Sequence, residues 1–382
     1  MIPYSTQYIN NKDKKKVLDV LGSKFLTTGP AISDFEKKLT KKFKCKYAVM
    51  VNSATSALHL SCLSLGLKKK DTFWTSPISF VSSANCALLC GSKVDFIDIN
   101  PETYNISIEV LKKKISLIKK KTDLPKIVMP VHLSGNPCDM KELKKLSRKY
   151  KFKIIEDASH ASGSKIGKNF VGSCKFSDIA VFSFHPIKTI TSGEGGAILT
   201  NSKKIYEKLK ILRNQGISKK TSKINNINVN PWHYEVKDLG YNYRMTDIQA
   251  ALGSSQLDSL EKFIAKRNYI AKCYKKGLSK KISVQYVKKD NLSTYHLFII
   301  RVKSSIRNKI VKKLIQNQII TSLHYIPIYR HKLYKKRFNF LTKNFPNSES
   351  YYKEAISLPI FYKLSKKQLN KILFIINSFF KK

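Results

Sequence analysis

Three short stretches contain residues whose types could do chemistry together. NSATSA (52–57) follows the apolar run KYAVMV and places hydroxyl and small side chains where a strand gives way to a helix. The free N–H groups and positive dipole end of such a junction favour a phosphate, and the Thr55 and Ser56 hydroxyls add donors. The same residues also serve as ordinary N-caps. IIEDASHASG (154–163) ends an apolar run in Glu156-Asp157, and a carboxylate at the end of a buried strand is costly unless it has a partner. A pyridinium nitrogen is one such partner; an N-cap or a metal ion is another, and spacing alone leaves the choice open. FSFHPIKTITSGEGGAI (182–198) holds Lys188, the one cation besides His185 between residues 176 and 202.

That isolation is informative because the chain is crowded with lysine: of 72 Lys and Arg residues only eight are Arg. A lysine held in apolar, glycine-rich surroundings can have a lowered pKa and act as an amine nucleophile. A phosphate site, a carboxylate and an isolated lysine, in that order, are the parts needed to hold pyridoxal phosphate.

The elements that must position these residues alternate between strand and helix. Apolar runs at 46–52, 71–77, 93–99, 126–133, 152–157, 178–184 and 195–200 read as strands. Helical patterns lie between several of them, notably at 55–67, 80–91 and 140–151. Such alternation predicts an α/β fold, a mostly parallel sheet between helices, with ligands at the carboxyl ends of its strands. After a long helical stretch at 246–278 the pattern changes. Strands are expected at 282–287, 295–302 and 321–329, a helix at 307–319, and a last helix opened by a Ser365/Gln368 capping box. Two units follow: a large domain over 1–255 and a smaller C-terminal α+β domain over 256–382. The polar stretch 218–231 reads as a mobile loop.

Composition removes several function classes. The formal charge of +47 suggests nucleic acid, yet the excess is lysine rather than arginine and is spread over polar helix faces such as 109–121. A basic nucleic-acid-binding protein is therefore the remote alternative, and the surface charge suits small anionic substrates instead. The seven cysteines are scattered, with no zinc spacing, and read as reduced thiols in a cytoplasmic protein; no metal is expected. No secretory signal and no membrane span is expected either.

The chain resembles the DegT/DnrJ/EryC1/StrS sugar aminotransferases, which have the fold-type-I pyridoxal phosphate architecture. The resemblance runs from IPYSTQYIN through LTTGPAISDFEKKL, VNSATSALHLS, TSPISFVSSAN, IIEDASHASGS, FSFHPIKTITSGEGGA and LGYNYRMTDIQAALGSSQL to HYIPIY. Within the family, FHPIKTIT-x-GEGG with LHYIPIYRHKLY is most similar to the branch that aminates a UDP-4-keto-6-deoxy-N-acetylhexosamine in pseudaminic acid biosynthesis. Another nucleotide keto-sugar, such as the 4-amino-arabinose type, is the alternative.

The resemblance implies that Lys188 carries pyridoxal 5′-phosphate and moves protons, and that Asp157 pairs with the pyridine nitrogen. It further implies that Phe80 stacks on the ring, that His160 contacts the cofactor, and that Ala54, Thr55, Ser56 and Ser183 cradle the phosphate. Asn242 would reach the site of a partner subunit, so a homodimer is implied. Tyr4, Lys24, Phe25, Leu26, Thr27, His324, Tyr325, Ile326, Pro327 and Tyr334 match sugar-nucleotide contacts, with Glu194 a further candidate. L-glutamate is the implied amino donor.

Overall fold

Every β-rich run expected between residues 46 and 200 forms a strand in the computed structural model, which describes residues 1–218, 223–224, 227–228 and 232–380. These strands are β1 (Tyr47–Val51), β2 (Thr72–Thr75), β3 (Lys93–Phe96), β4 (Ile127–Met129) and β5 (Lys153–Asp157). A short hairpin, β6 (Lys165–Ile166) and β7 (Asn169–Phe170), precedes β8 (Ile179–Ser183) and β9 (Gly196–Thr200). One seven-stranded sheet runs in the order β1-β9-β8-β5-β4-β2-β3. It is parallel from β3 to β8, while β9 runs antiparallel to both neighbours.

The strands are apolar on both faces because helices cover both. The helices of this part are α1 (Asn11–Leu21), α2 (Pro30–Phe43), α3 (Ala54–Ser64), α4 (Ser82–Leu89), α5 (Ile108–Ser116), α6 (Met140–Tyr150) and α7 (Lys203–Arg213). Met50, Val128, Ile154, Phe182 and Leu199 point to one face and pack with Phe35 and Leu39 of α2 and Leu143 of α6. Their neighbours Val49, Val51, Ile127, Ile155, Val181 and Ile198 point to the other and pack with Leu58 of α3, Ala84 of α4 and Leu209 of α7. The period of two sorts each strand between two cores. Each fully buried Val, Leu or Ile contributes about 1.5–3 kcal/mol.

The helical stretch expected at 246–278 is two helices. α8 (Asp247–Asp258), opened by a Thr246/Gln249 capping box, is followed by α9 (Leu260–Gly277), with Ser259 at φ −95° and ψ 0° between them. Along α9, Leu260, Phe263 and Ile264 join the core that holds Phe35, whereas Ile270, Ala271 and Tyr274 join a separate C-terminal core. That core lies around an antiparallel sheet of Ser283–Val284, Phe298–Arg301 and Ala355–Leu358, covered by Ser304–Gln316 and Lys366–Asn377. The Ser365/Gln368 box forms as expected, since a capping box depends only on neighbours in the chain.

Two expected strands differ. The run at 282–287 keeps only Ser283–Val284 in the sheet, because Gln285 leaves to donate to the carbonyls of Thr103 and Leu133. The run at 321–329 is not a strand: only Ser322 bridges Ser357, a cis peptide joins His324 to Tyr325, and Ile328–Arg330 is a 3-10 turn. Pro327 supplies no amide for a ladder there. Ala355–Leu358, which the sequence reading passed over, is the edge strand there, antiparallel to Phe298–Arg301. The loop expected at 218–231 lies, apart from Ser218 and residues 223–224 and 227–228, outside the described residues.

Candidate active site

A cleft of about 450 Å³ opens at the carboxyl ends of β1, β2, β5 and β8, where the loops after those strands converge. Lys188 enters it from the loop joining β8 to β9. That loop is closed on itself: the Phe184 amide donates to the Gly195 carbonyl at 2.9 Å, and the Ser192 amide and Thr191 hydroxyl both donate to the Phe184 carbonyl at 3.0 Å. The Lys188 amide donates to His185 at 2.9 Å, and Ser5 pins the Ile187 carbonyl from the N-terminal segment. As a residue Lys188 is half-buried, yet its amine is desolvated, which lowers its pKa from 10.5 to about 8; the carboxylates of Asp157 and then Glu194 oppose that shift.

Asp157, at the end of β5, is buried with two protein partners. Ser83 Oγ donates to Oδ2 at 2.6 Å and the Ser159 amide to Oδ1 at 3.2 Å. Ser83 sits on the first turn of α4 and is itself 2.6 Å from Ser79 Oγ. A carboxylate has about four lone-pair sites, so Asp157 retains acceptor capacity toward the cleft. Glu156, one residue earlier, faces away: His132 Nε2 lies at 2.9 Å and Ser177 donates to its other oxygen. The Cys138 amide donates to His132 Nδ1, so Nε2 carries the proton that meets Glu156. Among the described residues no group of three or more His, Cys, Asp or Glu could hold a metal ion.

The start of α3 forms a small polar cup. Ser53 caps the helix by accepting from the Ser56 amide at 3.1 Å, which leaves the Ala54 and Thr55 amides free of helical partners. Thr55 Oγ1 lies 2.8 Å from Ser82 Oγ, and Ser183 ends β8 on the same wall. The cup depends on Gly196: a Cβ there would sit 2.5 Å from the Ser53 carbonyl oxygen. Ser56, expected in the cup, is placed behind it, its hydroxyl donating to Asn52 Oδ1 at 2.6 Å.

Phe80, His160 and Tyr325 form the remaining wall. Phe80 is 58% exposed despite its size, with its ring 6.2 Å from that of Tyr325, so it offers a flat apolar face to a planar ligand. His160 Nδ1 accepts the Ser134 amide at 3.2 Å, which fixes the proton on Nε2, 3.2 Å from the Tyr325 hydroxyl. Burial holds His160 well below the ordinary histidine range, with Lys188 and His324 adding to the effect. Burial likewise lowers His324 to about 3.

Tyr4, Glu194 and His324 also line the cleft; Tyr4 packs 5.4 Å from the His324 ring, and Glu194 lies 3.9 Å from His185. The structure brings the other expected residues elsewhere. Lys24, Phe25, Leu26 and Thr27 lie on the exposed segment between α1 and α2, tied by the Asp247 amide to the Leu26 carbonyl. Asn242 is exposed and bridges Asn214. Ile326 is exposed and Pro327 buried, both outside the cleft lining, and Tyr334 is buried among Phe96 and Phe338 with its hydroxyl on Asn85.

Sequence reasoning missed Ser79, Ser82 and Ser83. Ser82 and Ser83 open an otherwise apolar helix, which signals a polar end, but their partners lie 27 residues away for Ser82 and 74 for Ser83.

The parts fit pyridoxal phosphate. A cup of free amides and hydroxyls suits a phosphate, a carboxylate with spare acceptor capacity suits a ring N–H, and a desolvated amine suits covalent attachment. A model of the DegT/DnrJ/EryC1/StrS aminotransferase family matches residues 7–377. The UDP-4-amino-4,6-dideoxy-N-acetyl-beta-L-altrosamine transaminase of Campylobacter jejuni subsp. jejuni serotype O:23/36 is 35% identical over 372 residues, 96% of this chain and 94% of its own. The structure of PseC of Helicobacter pylori, an aminotransferase involved in the biosynthesis of pseudoaminic acid, aligns with a TM-score of 0.89 at 32% identity, over 99% of this chain and 98% of its own. The PLP-form of Spr1654, a putative sugar aminotransferase from Streptococcus pneumoniae, aligns with a TM-score of 0.89 at 26% identity, over 99% and 98% of the two chains.

Proposed function

This chain belongs to the DegT/DnrJ/EryC1/StrS aminotransferase family and is a pyridoxal-phosphate-dependent sugar aminotransferase; we propose that it moves the amino group of L-glutamate to C4 of a UDP-4-keto-6-deoxy-N-acetylhexosamine. The product is UDP-4-amino-4,6-dideoxy-N-acetyl-altrosamine, on the route to pseudaminic acid. The observation that supports this reading best is the meeting of Lys188, Asp157 and the α3 cup in one cleft, in a chain 35% identical to a transaminase named for that product.

When bound, the cofactor supplies an electron sink that makes a neighbouring C–H acidic. The protein does the rest. Lys188 Nζ would anchor the cofactor and, when freed by the amino donor, would serve as the base and acid that moves the substrate's proton. This work suits a lysine whose pKa lies near 8. In the second half the same amine moves the proton in the reverse direction for the keto-sugar. Asp157 holds a proton on the ring nitrogen while Ser83 fixes its carboxylate. The Ala54 and Thr55 amides with the Thr55 and Ser183 hydroxyls would hold the phosphate, Phe80 would offer its face to the ring, and His160 would present its Nε2–H, now beside the Tyr325 hydroxyl. Ser56 supports the cup through Asn52 and Ser53.

Tyr4, Glu194, His324 and Tyr325 face the sugar. Lys24 to Thr27, Ile326 and Pro327 lie outside the cleft lining of their own chain and are assigned to the sugar nucleotide by the family resemblance alone, and Asn242 to the cofactor site of a homodimer partner; Tyr334 supports α4 through Asn85. We assign residues 1–255 to the cofactor domain and 256–382 to the smaller one, with the first turns of α9 packed into the core of the former. No helix among the described residues is long and apolar enough to cross a membrane.

Incubation with glutamate and a panel of UDP- and dTDP-linked keto-sugars, read by mass, tests the substrate. Amination of a different sugar in preference to the UDP-4-keto-6-deoxy-N-acetylhexosamine would refute this assignment. Lys188→Ala is expected to abolish turnover. Mixing inactive Lys188→Ala and Asn242→Ala chains is expected to restore activity, because one hybrid site then has both groups; no recovery in mixed dimers removes Asn242 from the partner's site.

A further inference from the structure

Gln285, Thr294 and His296 belong to the C-terminal part of the chain, are buried and do not line the cleft, yet each touches His160 or the turn that holds it. Thr294 Oγ1 donates to the His160 carbonyl at 2.7 Å, and the Thr294 amide donates to Ser164 Oγ at 3.2 Å. Ser164 Oγ in turn donates to the Gly135 carbonyl at 2.7 Å. The His296 ring packs 4.4 Å from that of His160. Gln285 Nε2 donates to the Thr103 carbonyl at 2.7 Å and to the Leu133 carbonyl at 3.3 Å, while its Oε1 accepts from the Ser134 hydroxyl.

The turn Leu133–Gly135 gives His160 its orientation. Ser134 has φ +58°, a conformation uncommon for a residue with a side chain, and in it the Ser134 amide reaches His160 Nδ1 at 3.2 Å. Gly135 follows at φ +88°; a Cβ there would lie 1.9 Å from Thr294 Oγ1 and 2.8 Å from the His160 carbonyl oxygen, so the glycine is what admits the threonine hydroxyl. An amide donating to Nδ1 leaves the proton of the neutral imidazole on Nε2, the nitrogen that meets the Tyr325 hydroxyl in the cleft wall. Without that amide the two nitrogens would share the proton.

We propose that Thr294 and Gln285 are positioning residues: from the C-terminal part they latch the 133–135 turn and the His160 carbonyl, and so hold His160 in its Nε2–H form toward the cleft. What that proton serves there rests on the cofactor contact proposed above. Gln285 binds both the Ser134 hydroxyl and the carbonyl before it, which keeps Ser134 from relaxing to negative φ and carrying its amide away from Nδ1. Thr294 holds the other side of the same contact, through the carbonyl of the histidine itself. The C-terminal part thus sets the proton of a cleft residue through two side chains that lie outside the cleft lining.

The test reads the histidine nitrogens directly. In the full chain, labelled with nitrogen-15 histidine and freed of cofactor, His160 is identified by the signals that His160→Asn removes. Wild type is expected to show Nε2 protonated and Nδ1 bare; a wild-type His160 protonated on Nδ1 overturns the proposal with no variant needed. Thr294→Val, which keeps the shape and removes the donor, and Gln285→Met are each expected to give a mixture of the two forms. In the holoenzyme both are expected to shift the absorbance of the bound cofactor and to weaken its retention by about tenfold, the worth of one hydrogen bond. Thr294→Ser is expected to restore both readouts. Ser134→Gly in the Gln285→Met background is expected to do the same, because glycine takes the left-handed conformation unaided. Wild-type nitrogen signals in both single variants, or a double variant no better than Gln285→Met, overturn the proposal. A mixture of forms with an unaltered cofactor band supports the latch and removes His160 from the cofactor instead, so the two readings fail separately.

Discussion

Glu156 and Asp157 are adjacent carboxylates on β5, both buried, and the pleat sends them to opposite faces of one sheet. On one face Glu156 is enclosed by His132 and Ser177 within the packed core. On the other Asp157 takes one hydroxyl and one amide and lines an open cleft. The difference is not one of residue type or depth. It is the completeness of the donor shell: a carboxylate whose acceptor sites are filled by the protein is structural, and one left with spare capacity beside a cleft is available to a ligand.

The sharpest way to break this comparison is to exchange each carboxylate for its amide. Asp157→Asn is expected to lower kcat by about 10²-fold or more, as loss of an aimed charge in a water-excluded site does, with the fold retained by circular dichroism. An Asp157→Asn enzyme with near wild-type kcat would erase the distinction. Glu156→Gln is expected to act the other way round. The amide can keep only one of the two oxygens as acceptor and replaces a charged partner by a neutral one, so unfolding stability falls by about 1–3 kcal/mol while turnover per folded site persists, as measured by denaturant unfolding alongside active-site titration. Ser83→Ala should fall between them, with kcat reduced by about tenfold as Asp157 loses its shortest bond, and with a shifted absorbance of the bound cofactor that a packing defect alone would not give.

The smallest effect belongs to Lys188 in the apoenzyme. Its folded pKa near 8 lies below the ordinary 10.5, so between those values the unfolded chain holds the proton more tightly and wild-type stability rises with pH. Below about pH 8 the folded amine is protonated in a desolvated site, and Lys188→Ala apoenzyme should melt higher than wild type. That gap should narrow as pH rises toward 10.5; a gap that widens instead would contradict the desolvated amine.

Much of this was legible in the sequence, and for identifiable reasons. The sheet strands were readable because runs such as IVM and IAVFS are apolar without interruption, and Lys188 stood out because its surroundings exclude other lysines. The α3 cup was readable because Ser-Ala-Thr-Ser abuts a strand. Ser83 was not, since its meaning lies in an aspartate that only folding brings near. Residues 321–329 read as a strand because their alternation is real, but Pro327 and the pull of the cleft on His324 and Tyr325 replace a ladder with a wall. The break at Ser259 left only a faint mark, the cap-type pair Asp258-Ser259 with no glycine or proline beside it.

The loop that bears Lys188 is stapled at both feet. Ser183 pairs with Gly196 across two strands buried in the middle of the sheet, and Phe184 binds Gly195 and Ser192 above them. Its backbone therefore has nowhere to swing, and the amine can change position only by turning about its own side-chain bonds. Such turns take picoseconds to nanoseconds, whereas loop excursions take nanoseconds to microseconds. The proton carrier thus has a clock of its own, and a slow step in turnover is not one that waits for this loop to move.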